Sequence, residues 1–256
     1  MEFKICIFIL GLVFGSFLNV LILRLPKRVS LFYPPSSCGS CGKRLKFYHN
    51  IPVISWIILG GKCGFCKSKI SCQYPLIELI IGVLFLFCVE VSSLEAFLYS
   101  LCLALSFSLL FALCIIDFRY LAVPCGTLIL TLIFALVYTH SLVSFQNALM
   151  FAGGAYLLKS LIESVINIKA KNDDECVQVM GEADIEIMAL IGALVGIKLG
   201  FVAIFLGAVS SLPVFMYFKL KGKENIQVPF IPFLSFGLAL VWFFPSVGQF
   251  CLDFLQ

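Results

Sequence analysis

The chain has 256 residues, 61% of them hydrophobic and only 12% charged, with a mean hydropathy of +1.09. Apolar side chains at this density exceed what a water-facing surface carries, which excludes a soluble globular domain and leads us to expect an all-α polytopic membrane protein. The formal net charge of +4 follows from the placement of Lys and Arg around the spans and requires no nucleic-acid partner.

A span needs about 20 apolar residues, since about 30 Å of hydrocarbon is crossed at about 1.5 Å per residue. About eight are expected. The first covers 3–25 and ends in the basic RLPKR of 24–28. Its apolar run is long for a signal peptide and has no A-x-A-like exit, so it is expected to be retained in the membrane.

Residues 26–75 form the only long polar segment. Within it Cys38, Cys41, Cys63 and Cys66 make a C-x2-C-x21-C-x2-C pattern, of the type that offers four thiolates to a tetrahedral zinc ion. About 50 residues hold too little apolar mass for a secure core, and a metal staple suits such a segment. Two disulfides and four metal-free thiols are the alternatives; disulfides fit an exterior loop better than a reducing cytoplasm. The remaining cysteines, such as Cys88, Cys102 and Cys114, fall mostly in spans, where they serve as small apolar fillers. His49 and His140 are isolated, and neither is assigned to a metal.

The next spans are expected over 76–91, 96–116, 123–138, 145–166, 185–199, 200–218 and 229–251. A single helix over 185–218 would be about 50 Å long, too long for one crossing even when tilted, so a turn is expected at 198–200. Gly192, Gly196 and Gly200 form GxxxGxxxG, a pattern that brings helices close in lipid. With the N-terminus outside, the inner loops hold Lys27, Arg28, Lys43, Arg44, Lys46, Lys62, Lys67, Lys69, Arg119, Lys169, Lys171, Lys219, Lys221 and Lys223. The positive-inside rule favours that orientation.

Two aspartates then fall at one membrane face. Asp117 ends the third span in LCIIDFRYLAVP, and Asp184 opens the sixth in MGEADIEIMALIGALVG. Two carboxyls in contact do not both ionise readily, so one keeps a proton while the other acts as base on a water. The bland readings are an N-cap for Asp184 and a local pair with Arg119 for Asp117. A transporter would instead place its acids deep in the spans along a path. Glu182 and Glu186 beside Asp184 are either an attractor for a basic peptide or solvated charges favoured at a helix start.

GSFLNVLILRLP (15–26), CGSC, HNIPVISWIILGGKCGFCKSKIS (49–71), QYPLIELIIGVLF (73–85), DFRYLAVP (117–124), MGEAD and IPFLSFGLAL (231–240) resemble, in order, the motifs of the prepilin peptidases, the type IV leader peptidase family of membrane aspartic proteases. The resemblance covers most of the chain. It implies a catalytic pair at Asp117 and Asp184, and a cysteine tetrad at Cys38, Cys41, Cys63 and Cys66 in a methylation-associated loop that binds metal. It also implies cleavage of the basic leader of prepilins or pseudopilins after a glycine, at the cytoplasmic face of the bacterial inner membrane. Many members of the family methylate the new amino terminus with S-adenosylmethionine.

The expected organisation is a first transmembrane helix over 1–25, a small zinc-ribbon-like cytoplasmic domain over 26–75 between the first and second helices, and a seven-helix peptidase domain over 76–256. Glu78 belongs to one of the matching motifs; it either pairs with Arg24 or contacts substrate or methyl donor. Three positions depart from the family pattern. Ala183 replaces the second glycine of G-x-G-D, Glu186 stands where a lysine is common, and Cys125 stands where an acid is common.

Overall fold

The computed structural model describes residues 2–169, 181–221 and 228–254; Lys171 and Lys223 of the inner-loop set lie outside them. Nine α-helices are present among the described residues: α1 Glu2–Arg24, α2 Ile54–Ile58, α3 Gln73–Cys88, α4 Leu94–Tyr120, α5 Cys125–Thr139, α6 Leu142–Lys169, α7 Glu182–Leu220, α8 Ile231–Phe243 and α9 Pro245–Phe254. The only strand-like pairing among them is two isolated bridges, Ser37 with Arg44 and Lys62 with Lys69, both in the Cys-rich segment. The architecture is therefore an all-helical polytopic membrane protein with a Cys-rich module between its first and second apolar helices.

Helix length and composition do not reproduce the expected count of about eight crossings exactly, α7 counting as one although it breaks at Gly196. Four helices, α1, α4, α6 and α7, are long and apolar enough to cross a membrane, and the α8–α9 pair makes five if counted as one broken span. α3 and α5 are apolar but shorter, at 16 and 15 residues. The segment expected as one helix over 229–251 bends by 97° between α8 and α9. Pro245 opens α9; it lacks an N–H and pushes the preceding residue out of the helical region, which ends α8 at Phe243.

The turn expected at 198–200 lies instead at Gly196, the one non-helical residue inside α7, with φ 73° and ψ −172°. That combination is essentially open to glycine alone. The bend is sharp. A Cβ placed on Gly192 or on Gly200 would meet the same ring, that of Phe151 on α6, at 2.6 Å and 2.7 Å. The two positions thus lie within roughly 8 Å, whereas eight residues of straight helix rise about 12 Å. Gly196→Ala is expected to destabilise the protein by about 1–3 kcal/mol, read as a lowered midpoint of thermal unfolding in detergent; an unchanged midpoint would contradict the backbone assignment.

The chain divides into two compact units, Met1–Ala112 and Leu113–Gln256, so α4 contributes to both. In the first unit α1 and α3 meet backbone to backbone. A Cβ on Gly11 would lie 2.8 Å from the Gly82 Cα, and one on Gly15 only 2.7 Å from the Glu78 Cα. Gly11 and Gly15 are themselves a small-xxx-small pair. Asn19, one turn further, donates from Nδ2 to the carbonyls of Gly15 (3.3 Å) and Tyr74 (3.2 Å), tying the start of α3 to α1.

In the second unit α7 packs against α5, α6, α8 and α9. Ala148, Ala189 and Ala193 form a core with Leu132, Leu136 and Ala152 around it, joining α5, α6 and α7. The far limb of α7 meets α8 just as closely, Gly237 lying against the Ala203 carbonyl. Small side chains at these contacts let helices approach without a hydrophobic drive, which lipid does not supply.

Candidate active site and metal centre

Asp117 lies in the last turn of α4 and is 7% exposed. Its Oδ2 accepts the backbone N–H of Ile231 at 3.3 Å. Ile231 is the first residue of α8 and Pro232 the second, so Ile231 offers one of the unpaired amides that every helix start leaves over. The carboxylate thus sits against the positive end of the α8 dipole, where negative charge is favoured. This contact ties Asp117 to a helix start 114 positions along the chain.

Asp184 occupies the first turn of α7 and is half-buried. It accepts the N–H of Gly181, immediately before the helix, the reach-back contact of a capping box. It also lies within electrostatic range of Asp117 and of Lys159 on α6. Capping and proximity to a second carboxylate therefore coexist at Asp184, because the cap uses only one carboxylate oxygen's worth of acceptor capacity. Lys159 was not singled out from sequence. Its spacing on α6 carries no motif, but it brings a positive charge to the acidic site.

Glu186, one turn beyond Glu182, has its Oε2 buried without a hydrogen-bond partner and feels the charge of Glu182. The neighbourhood of Asp184 thus carries additional negative charge, consistent with either reading of the two glutamates. Ala183, in place of glycine, sits within α7 and needs no left-handed backbone there.

The four cysteines converge. The Sγ atoms of Cys38, Cys41, Cys63 and Cys66 all lie within 4.8 Å of one another, and Cys38 and Cys66 are 3.8 Å apart. A tetrahedral zinc with Zn–S bonds of about 2.3 Å separates its sulfurs by about 3.8 Å, and a disulfide would require about 2.05 Å. The donor set and spacing therefore fit a tetrahedral thiophilic cation.

Each knuckle is closed by backbone bonds: Gly42 N–H to the Cys38 carbonyl and Lys67 N–H to the Cys63 carbonyl. The N–H groups of Cys41 and Ser40 hold the Cys38 thiol down to about 6, and the Ser68 hydroxyl and amide lower Cys66. Against the pull of the Lys43 N–H, burial and the neighbouring Cys38 and Cys66 thiols raise Cys41 to about 11. Four thiols without a cation cannot all ionise; a bound divalent ion removes that conflict.

Glu78 does not meet Arg24. The Arg24 guanidinium turns to the carbonyls of Ser30 (3.0 Å) and Leu31 (3.4 Å). Glu78 lies beside Gly15, nine residues and about 13 Å back along α1, where its Oε2 accepts the Val53 N–H at 2.7 Å.

Comparison with known proteins gives a consistent result. A family model described as "Bacterial Peptidase A24 N-terminal domain" matches residues 9–91, and one described as "Type IV leader peptidase family" matches 104–216. A protein of Pectobacterium carotovorum named "Prepilin leader peptidase/N-methyltransferase" is 30% identical over 254 residues, covering 90% of this chain and 88% of its own. One of the same name from Stutzerimonas stutzeri is 29% identical over 279 residues, covering 94% and 91%. A third, from Myxococcus xanthus, is 37% identical over 166 residues, covering 64% of this chain and 49% of its own. No solved structure matches.

Proposed function

The chain belongs to the type IV leader peptidase family, and from that premise we propose that it removes the basic leader of type IV prepilins or pseudopilins and methylates the exposed amino terminus. The observation that carries the peptidase half is the buried Asp117 of α4, bound to the first amide of α8, with Asp184 within range of its charge. One carboxylate takes a proton from a water, which attacks the scissile carbonyl; the other gives its proton to the leaving nitrogen. Both carboxyls leave the cycle with the single shared proton they began with. The Ile231 N–H fixes the orientation of Asp117, and the Gly181 N–H that of Asp184.

We place this chemistry at the cytoplasmic face of the bacterial inner membrane, embedded in lipid. The ends of α4 and α7 carry Arg119, Lys219 and Lys221, and the Cys-rich segment is basic throughout, which supports that orientation. We keep the division into a first helix over 1–25, a four-cysteine domain over 26–75 and a peptidase domain over 76–256 as the functional partition. In the four-cysteine domain, Cys38, Cys41, Cys63 and Cys66 hold a structural zinc. S-adenosylmethionine supplies the methyl group as an electrophilic sulfonium.

The test is direct. Purified protein, a pilin-type precursor and S-adenosylmethionine are incubated in detergent, and the product is read by mass spectrometry. The expected product has lost its basic leader after a glycine and gained one methyl on the new terminal nitrogen. A precursor left whole would defeat the peptidase reading; a cleaved but unmethylated product would defeat only the second half.

A further inference from the structure

The first unit contains a cavity of about 720 Å³, within the roughly 300–1,000 Å³ range of sites that enclose a cofactor-sized ligand. It is bounded by α1, the start of α3 and the Cys-rich module. Its wall has an unusual polar content for a pocket beside two apolar helices. Glu78, Asn19, His49 and Trp56 all line it.

Glu78 is 7% exposed and is held by the Val53 N–H and the Ser16 hydroxyl, yet no Lys or Arg among the described residues pairs with it. A buried carboxylate without a counter-ion is costly. Asn19 is 2% exposed, and while its Nδ2 is used twice, its Oδ1 has no partner. The His49 Nδ1 is likewise buried and unpaired. These are acceptors or donors left over after the protein's own bonds are made, and they face one cavity.

Two further features point to a ligand. Val53 adopts φ 60° and ψ −51°, a genuine outlier for a β-branched residue. Such strain collects at ligand clamps, and here the strained residue grips the unpaired carboxylate. The Trp56 indole is braced from behind by Gly61, whose Cβ position lies 2.8 Å from Cζ2, and from its Nε1 by the Ile70 carbonyl at 3.4 Å. Arg24 and Lys69 also line the cavity, offering charge to an anionic end of a ligand, while a carboxylate and an aromatic ring on the same wall favour a soft, weakly hydrated cation.

We propose that this cavity is where the protein binds S-adenosylmethionine, with the sulfonium charge balanced by Glu78, the Trp56 ring beside the ligand, and the Asn19 Oδ1 accepting one of its N–H groups. The assignment rests on the methyltransferase half of the proposed function. A second cation is available in that chemistry, the ammonium of the cleaved substrate, and the experiment separates the two.

Purified full-length protein is dialysed to equilibrium against radiolabelled S-adenosylmethionine, against its neutral product S-adenosylhomocysteine, and against a cleaved pilin-type peptide. Wild type is expected to prefer the sulfonium over the thioether. Glu78→Gln should weaken S-adenosylmethionine binding by about tenfold or more while moving S-adenosylhomocysteine by less than about threefold, because only the first ligand carries the charge. Trp56→Leu should weaken both.

Unchanged S-adenosylmethionine affinity in Glu78→Gln, or a loss confined to the peptide, overturns the site and leaves the methyltransferase reading intact; wild type that binds neither adenosyl ligand overturns both. Ultraviolet cross-linking of labelled S-adenosylmethionine to the unaltered protein guards against a variant that fails to fold. Label on peptides between residues 49 and 78 supports the site, and label confined to 113–256 overturns it.

Discussion

Asp117→Asn and Asp184→Asn are each expected to abolish leader cleavage, by on the order of 10²–10⁴-fold or more, in protein that still inserts and melts like wild type. The substitutions are close to isosteric. An Asn at 117 still offers an oxygen to the Ile231 N–H, and an Asn at 184 still offers one to Gly181, so the local scaffold survives. What disappears is the proton. A pair that works by holding one proton between two oxygens loses its function when either member can no longer exchange it. The double variant should therefore be no slower than the worse single one, a non-additivity expected of groups acting as a unit. Cleavage rates on a pilin-type precursor decide the matter: a single variant near wild-type speed, or losses that multiply in the double, would remove these residues from the chemistry.

Stripping the metal from the cysteine tetrad is expected to have the second largest effect. One zinc per chain should be found in protein purified without chelator, and Cys→Ser at 38, 41, 63 or 66 should release it. Apparent binding free energies of structural zinc sites, about 10–16 kcal/mol in small modules, exceed anything the sparse core of this segment can replace. Of its large apolar side chains, Phe47, Ile57 and Ile58 are exposed.

Loss of the ion should therefore disorder the module and stop methylation of a precleaved peptide, while Asp117→Asn and Asp184→Asn leave that methylation intact. Because ligand thiols must be deprotonated, affinity should fall as pH is lowered. The Cys41 and Ser40 N–H groups that hold Cys38 down to about 6 favour its thiolate, the form that ligates metal. Elemental analysis checks both points. Full metal occupancy in a Cys38→Ser/Cys63→Ser double variant would refute the assignment.

The parts legible in the sequence were those whose signal is local. Four cysteines in two C-x2-C pairs announce their geometry, and acids at the ends of apolar runs stand out because hydrocarbon penalises them. The need for a break in 185–218 followed from length alone, but length does not choose among neighbouring glycines; the φ of Gly196 does.

Tertiary contacts were hidden. GLVFG at 11–15 lies in a helix that is apolar all round, so its two glycines had no contrast to mark them as a contact face. Pro245 was visible, but a proline within an apolar run is often tolerated in membrane helices, and nothing local distinguishes a kink from a 97° bend. The pairing of Asp117 with Ile231 spans 114 positions; the matching motif marked the segment without saying that its contribution is a backbone amide. Lys159 reaches the acidic site from another helix, and Arg24 failed to meet Glu78 because both were placed near one border without regard to the helical rise between them.

The bend after α8 bears on how much of a crossing that helix can supply. Its 13 residues rise about 20 Å, short of about 30 Å of hydrocarbon, and the 97° turn takes α9 off that line. The Ile231 amide that anchors Asp117 opens the same short helix, so the anchor and the turn lie only about 20 Å apart.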